Sequence, residues 1–182
     1  MTNQTESINS KFNKLRAAVL GANDGIVSTA SVVMGVAGAG ADNKAVFTAG
    51  MAALVAGALS MAVGEYVSVG SQRDAEESHV KNVHGNDAEG HEFTSPMQAA
   101  VASLVAFTVG GLVPFLAVVL APSESKIWAT VGAVIVALLL TGYFSALAGN
   151  ASKARAMARV IIGGLLAMAV TYFIGMAFGA VV

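Results

Sequence analysis

Of the chain's eleven acids, Asp24 and Glu65 fall inside long apolar stretches. The other nine, Glu6, Asp42, Asp74, Glu76, Glu77, Asp87, Glu89, Glu92 and Glu124, lie between those stretches or at their edges. No Lys, Arg or His shares the apolar stretches with Asp24 and Glu65. A carboxylate in a bilayer costs roughly a few kcal/mol or more and commonly marks an ion path. A proton or a metal cation is then the expected neutralising partner. Met61 precedes Glu65 by four residues, so on a helix the two share one face, which Gly57 and Ser68 extend. Carboxylate oxygen suits hard and borderline cations, and thioether sulfur shifts the preference toward softer transition metals. Asp24, Met61 and Glu65 together suit Fe2+, Mn2+, Co2+ or Zn2+ better than Mg2+ or Ca2+. Two plainer readings stand beside this one. Met61 can simply pack, and each acid can be a protonated carboxyl hydrogen-bonded to a neighbour. Three ligands fall short of the four to six that a transition metal commonly takes, so a symmetric homodimer that doubles the set is expected.

A second group of potential ligands sits between residues 71 and 95. It contains all three histidines, His79, His84 and His91, together with Asp74, Glu76, Glu77, Asp87, Glu89 and Glu92. One reading is a metal-collecting segment at the mouth of a pathway. The other is a solvated connector, since a link between membrane helices must be polar. Its spacing matches no specific metal motif, and Gly85-Asn86-Asp87 and Gly90 should stop any helix that begins at 71–84. The chain has no cysteine, which excludes thiolate ligands, disulfides and cysteine nucleophiles.

The elements that position these residues follow from the distribution of charge. Only 12% of the 182 residues are charged and 55% are hydrophobic, with a mean hydropathy of +0.70. Soluble domains carry about 25% charged residues, so a soluble enzyme, a disordered chain and a nucleic-acid binder are all disfavoured. Five stretches are long enough to cross a bilayer: 17–39, 45–70, 97–121, 127–149 and 158–181. The expected fold is therefore an all-α integral membrane protein of five helices. It forms a single domain over 1–182, with an N-terminal segment 1–16 and a short loop 71–95. The polar pair Asn23-Asp24 interrupts the first stretch, which argues for a retained helix rather than a cleaved signal.

If the helices cross in turn, eight of the ten cations lie on one side: Lys11, Lys14, Arg16, Arg73, Lys81, Lys153, Arg155 and Arg159. The positive-inside rule then places the N-terminus and the 71–95 loop in the cytoplasm. With helix 1 starting near Ala17, Asp24 lies about 10 Å deep, and Glu65 lies roughly 7–8 Å from the same side on the returning helix. The three candidate ligands can therefore meet in the cytoplasmic half. Ser95-Pro96 reads as the start of helix 3, Pro122-Ser123-Glu124 as the turn into helix 4, and Pro114 as a kink. Gly21/Gly25 and Gly175/Gly179 have the GxxxG spacing of close helix contacts, although such matches are frequent by chance in a chain with 20 glycines. No internal repeat is evident.

These residues carry a resemblance. The run from Leu15-Arg16-Ala17 through Gly21-Ala22-Asn23-Asp24-Gly25-Ile26-Val27-Ser28-Thr29 resembles the first-helix signature of the vacuolar iron transporter family. Ser60-Met61-Ala62-Val63-Gly64-Glu65-Tyr66-Val67-Ser68-Val69-Gly70 is similar to its second-helix signature, and Ser95-Pro96-Met97-Gln98 to the start of its third. The resemblance implies a five-helix dimer that moves Fe2+, and often Mn2+, out of the cytosol in exchange for protons. It also implies a path along the dimer interface lined by Asp24 and Met61, with Glu65 beside them. Iron or manganese is then substrate, and no tightly bound cofactor is expected. The partners are divalent metal ions, protons, the lipid bilayer and a second copy of the chain, with no nucleic acid.

The host membrane is a bacterial inner membrane or, in a eukaryote, the vacuolar membrane. Two features depart from the pattern. Ala17 stands where many members have Asp, and the 71–95 segment is too short for the glutamate-rich domain that larger members insert there. A passive divalent-cation channel and a metal-sensing membrane protein remain alternatives. An enzyme is disfavoured because no histidine lies within the spans.

Overall fold

A computed structural model of the chain describes residues 2–84 and 93–181, with side chains described over 14–82 and 93–181. Five helices follow in order: α1 (Thr2–Gly38), α2 (Asn43–His84), α3 (Pro96–Leu120), α4 (Lys126–Ala148) and α5 (Lys153–Gly179). There is no strand among the described residues. Each helix includes a stretch long and apolar enough to cross a membrane. Large side chains such as Leu59, Val63, Val109, Phe144, Leu166 and Phe173 are exposed on their outer faces. In water such faces would be an aggregation surface, whereas hydrocarbon is their natural solvent.

The tight turns are built from local chemistry. Gly40 adopts φ +76, a left-handed conformation that favours glycine, as α1 reverses into α2. Asp42 opens α2 by accepting a hydrogen bond from the Ala45 amide at 2.7 Å. Ser95 and Pro96 start α3 as expected, although the Ser95 hydroxyl makes no capping bond. The turn before α4 closes through the Ser125 amide on Pro122 O at 3.0 Å. At the same end, Lys126 donates to Asn43 at 3.2 Å, tying the α1–α2 turn to the start of α4. Pro114 is fully buried, and α3 is assigned as one helix across it.

α1 is the central helix and touches all four others, whereas α2, among the described residues, packs on α1 and α3 alone. The α1–α3 crossing is made by glycine. An added Cβ at Gly21 would come within 2.6 Å of the Ser103 carbonyl oxygen, and one at Gly25 would overlap the Phe107 carbonyl. From the facing helix, a Cβ at Gly110 would overlap the Ala22 carbonyl. The second GxxxG pair works the same way at the α1–α5 crossing, where Gly175 faces the Gly35 backbone and Gly179 the Ala39 backbone. Both spacings that looked weak in the sequence are therefore real backbone contacts. With no hydrophobic drive between helices in lipid, such close approach is what holds a membrane bundle together. A second core forms where Ile26, Ala30 and Met34 of α1 meet Val134 and Leu138 of α4 and Met168 of α5.

The helix ends differ from expectation in two places. Residues 71–84 continue α2 as helix instead of forming a loop, and helix likewise runs back through the expected N-terminal segment as far as Thr2. The sequence Ser71 to His84 has no glycine or proline, and its Gln72–Glu76 and Arg73–Glu77 pairs hydrogen-bond at 2.9 and 2.7 Å across one turn. Polar residues end a membrane span, but they do not end a helix. At 1.5 Å per residue, the 42 residues of α2 extend about 63 Å, roughly twice the hydrocarbon core.

Candidate metal pathway

Asp24 and Glu65 reach their places through the packing of the first three helices. Gly21 and Gly25 face α3, so Asp24, between them on α1, is turned away from that contact and is half-buried. Its carboxylate has no hydrogen-bond or ion-pair partner among the described residues. Ser28, one turn on, donates to the Asp24 carbonyl at 2.5 Å rather than to the side chain.

Glu65 is buried, with 6% of its side chain exposed. It sits on α2 one turn before Val69, which packs with Ala17 of α1 and Ala99 of α3. Ala17, the position where an Asp was noted as missing, is thus a small contact that lets three helices meet. Glu65 is not without a cation, contrary to the sequence reading. Arg16 Nη2 donates to Glu65 Oε1 at 3.0 Å. Arg16 lies just outside the apolar stretch of α1, yet its long side chain reaches back to a carboxylate at nearly the same depth. Counting cations only inside the spans missed it.

Met61 is partly buried and packs on the cluster of Leu54, Ala58 and Phe107 between α2 and α3. Gly57, on the Met61 side of α2, leaves room for the Phe107 ring, which a Cβ there would overlap. Packing is therefore part of the role of Met61. No group of three or more acidic or histidine side chains gathers among the described residues. Within one protomer, the close pair at the site is Arg16–Glu65, with Asp24 two turns from Arg16 along α1.

The 71–95 ligand candidates separate. Glu76 accepts bonds from Gln72 at 2.9 Å and from the Thr94 hydroxyl at 3.1 Å. It thereby ties the extension of α2 to the residues entering α3. Glu77 is held by Arg73 at 2.7 Å. Both acids have structural partners, and His79 is exposed on α2. The side chain of His84 and the whole of His91 lie outside the described residues.

The comparisons with known proteins agree with this architecture. The family model of the VIT family matches residues 15–84 and 77–176. "Vacuolar iron transporter homolog 1" of Arabidopsis thaliana is 50% identical over 159 residues, covering 87% of this chain and 80% of that protein. "Vacuolar iron transporter homolog 2" of the same plant is also 50% identical over 159 residues, covering 87% and 81%. In rice, "Vacuolar iron transporter homolog 5" is 46% identical over 164 residues, covering 89% and 79%. The family match takes in both signature helices, the crossing of α1 with α3 and most of α5. With five membrane-length helices and the motif residues at the meeting of α1, α2 and α3, the chain belongs to the VIT family.

Proposed function

We propose that this protein exports Fe2+, and also Mn2+, from the cytosol in exchange for protons, working as a symmetric homodimer with its N-terminus cytoplasmic. The observation that carries the reading is the Asp24 carboxylate, half-buried inside the first span and unpartnered among the described residues. Such a group is costly in a bilayer unless a cation or proton visits it. The names of the plant relatives support iron as the cargo.

Asp24 is the central ligand, Glu65 is a further carboxylate toward the basic end of the bundle, and Met61 contributes its thioether from α2. A second protomer that brings its own α1 alongside supplies the remaining ligands. Metal binds only as the acids lose their protons, so metal and protons compete for one site. If that site faces each side of the membrane in turn, a proton gradient drives metal the other way.

The test is metal uptake into proteoliposomes, with and without an imposed pH gradient, across Fe2+, Mn2+, Co2+ and Zn2+. Accumulation that follows the gradient supports exchange. Flux indifferent to pH makes the protein a passive channel, and no flux makes it a sensor. Asp24→Asn removes the ionisable ligand while keeping its shape, and it should abolish uptake in a protein that still folds. Undiminished flux in that variant would sink the assignment.

A further inference from the structure

Where α1, α4 and α5 splay apart at the basic end of the bundle, they enclose an open wedge of about 690 Å³. It is bordered by Val19, Asn23, Thr141, Ser145 and Arg159. A second groove of about 660 Å³ runs between α1, α3 and α4, lined by apolar side chains such as Val105, Val109, Leu140 and Phe144. Val19, Thr141 and Ser145 border both, so the polar wedge and the apolar groove adjoin.

Three polar groups at the wedge lack partners among the described residues. The Asn23 Oδ1 is a buried acceptor without a donor. The Ser145 hydroxyl is half-buried and makes no hydrogen bond, and Arg159 forms no ion pair. The charged side chains that line the wedge, Arg16 and Arg159, are both basic. No acid occurs after Glu124, so Lys153, Arg155 and Arg159 stand on the first turns of α5 with nothing in 125–182 to neutralise them. Lys153 is occupied over the Tyr143 ring at 4.7 Å, and Arg16, which also lines the wedge, is held by Glu65 at 3.0 Å, which leaves Arg159 as the unpaired guanidinium there.

We propose that this wedge holds the headgroup of one anionic phospholipid with a hydroxylated head, its acyl chain lying in the adjoining groove. The phosphodiester accepts from Arg159 and Ser145. Asn23 borders the wedge, and a turn of its amide brings the buried, donor-less Oδ1 to a headgroup hydroxyl, which a bare phosphate does not supply. Basic pockets between membrane helices bind acidic headgroups through this chemistry. The apolar groove selects a lipid over a soluble phosphate. Nothing in the proposal depends on which metal the protein carries.

Native mass spectrometry of the full chain, released from detergent and titrated with phosphatidylglycerol or phosphatidylcholine, tests it. One phosphatidylglycerol should bind each protomer preferentially. Arg159→Gln should weaken that binding about tenfold or more, the loss of one charge-assisted contact. Arg155→Gln, on the same basic helix end but not lining the wedge, should leave it unchanged. Ala106→Trp, which fills the groove without touching a charge, should also reduce it. Equal binding of phosphatidylcholine, equal weakening by Arg155→Gln, or loss of the lipid when two copies associate would each overturn the proposal. Unaltered elution of the variants on size exclusion shows that any loss is not unfolding.

Discussion

Replacing Arg16 with Met should tighten metal binding while destabilising the empty protein. The reasoning starts from the pair itself. Its charges are in direct contact at 3.0 Å, with Glu65 6% exposed and Arg16 53% exposed. Breaking a fully buried pair costs about 3–5 kcal/mol, whereas fully exposed pairs contribute about 0.2–1 kcal/mol. With one partner buried and the other half in solvent, about 1–2 kcal/mol is appropriate for this pair. A metal that uses Glu65 must first displace the guanidinium, so the same quantity opposes binding. Its removal should lower the dissociation constant about 5- to 30-fold. Titration calorimetry with Mn2+ on the purified full chain reads this directly. Glu65→Gln and the double variant complete a cycle. If Arg16→Met binds no more tightly than the parent, Glu65 is not a ligand. If the gain persists with Gln at 65, it does not arise from this pair.

Three further outcomes are expected. Gly25→Ala drives a methyl into the Phe107 backbone, whereas Gly64 has open space around it; the first should cost about 1–3 kcal/mol of stability and the second nearly nothing, read as melting temperature in detergent. Met61→Leu keeps the contact with Leu54, Ala58 and Phe107 but removes the sulfur, so it should weaken Fe2+ binding more than Mn2+ binding, and equal effects would mean that Met61 only packs. Thr94→Val removes the hydroxyl bond to Glu76; hydrogen exchange in the 71–84 segment should quicken by about fivefold or more, with the spans themselves unaffected.

Much of this architecture was legible in the sequence because a bilayer imposes simple rules. Each long apolar run of about 20 residues or more forms a helix, and Ser95-Pro96 and the Pro122 turn mark two of the starts. What was hidden depended on reach and continuity. Arg16 was counted as outside the membrane by its backbone, while its side chain spans the few ångströms to Glu65. The polar residues 71–84 leave the apolar stretch, which suggests a loop, yet they satisfy every local requirement of a helix. Gly21/Gly25 and Gly175/Gly179 could not be told from coincidence by spacing alone, since only the facing backbone gives a glycine its meaning. Asn23 stands in the signature beside the motif acid, and nothing in the sequence marks it as a buried acceptor bordering a second cleft.

The length of α2 has a mechanical consequence. Glu65 and His84 lie on one continuous helix, so the stretch from Glu65 outward forms a lever arm of about 28 Å. A tilt of about 10° at the level of Glu65 would swing its tip by about 5 Å. The Glu76–Thr94 bond lies partway along that arm and joins it to the entry of α3. A movement too small to notice at Glu65 would thus arrive outside the bilayer amplified, and a force applied to the arm would be returned to Glu65 with the same leverage.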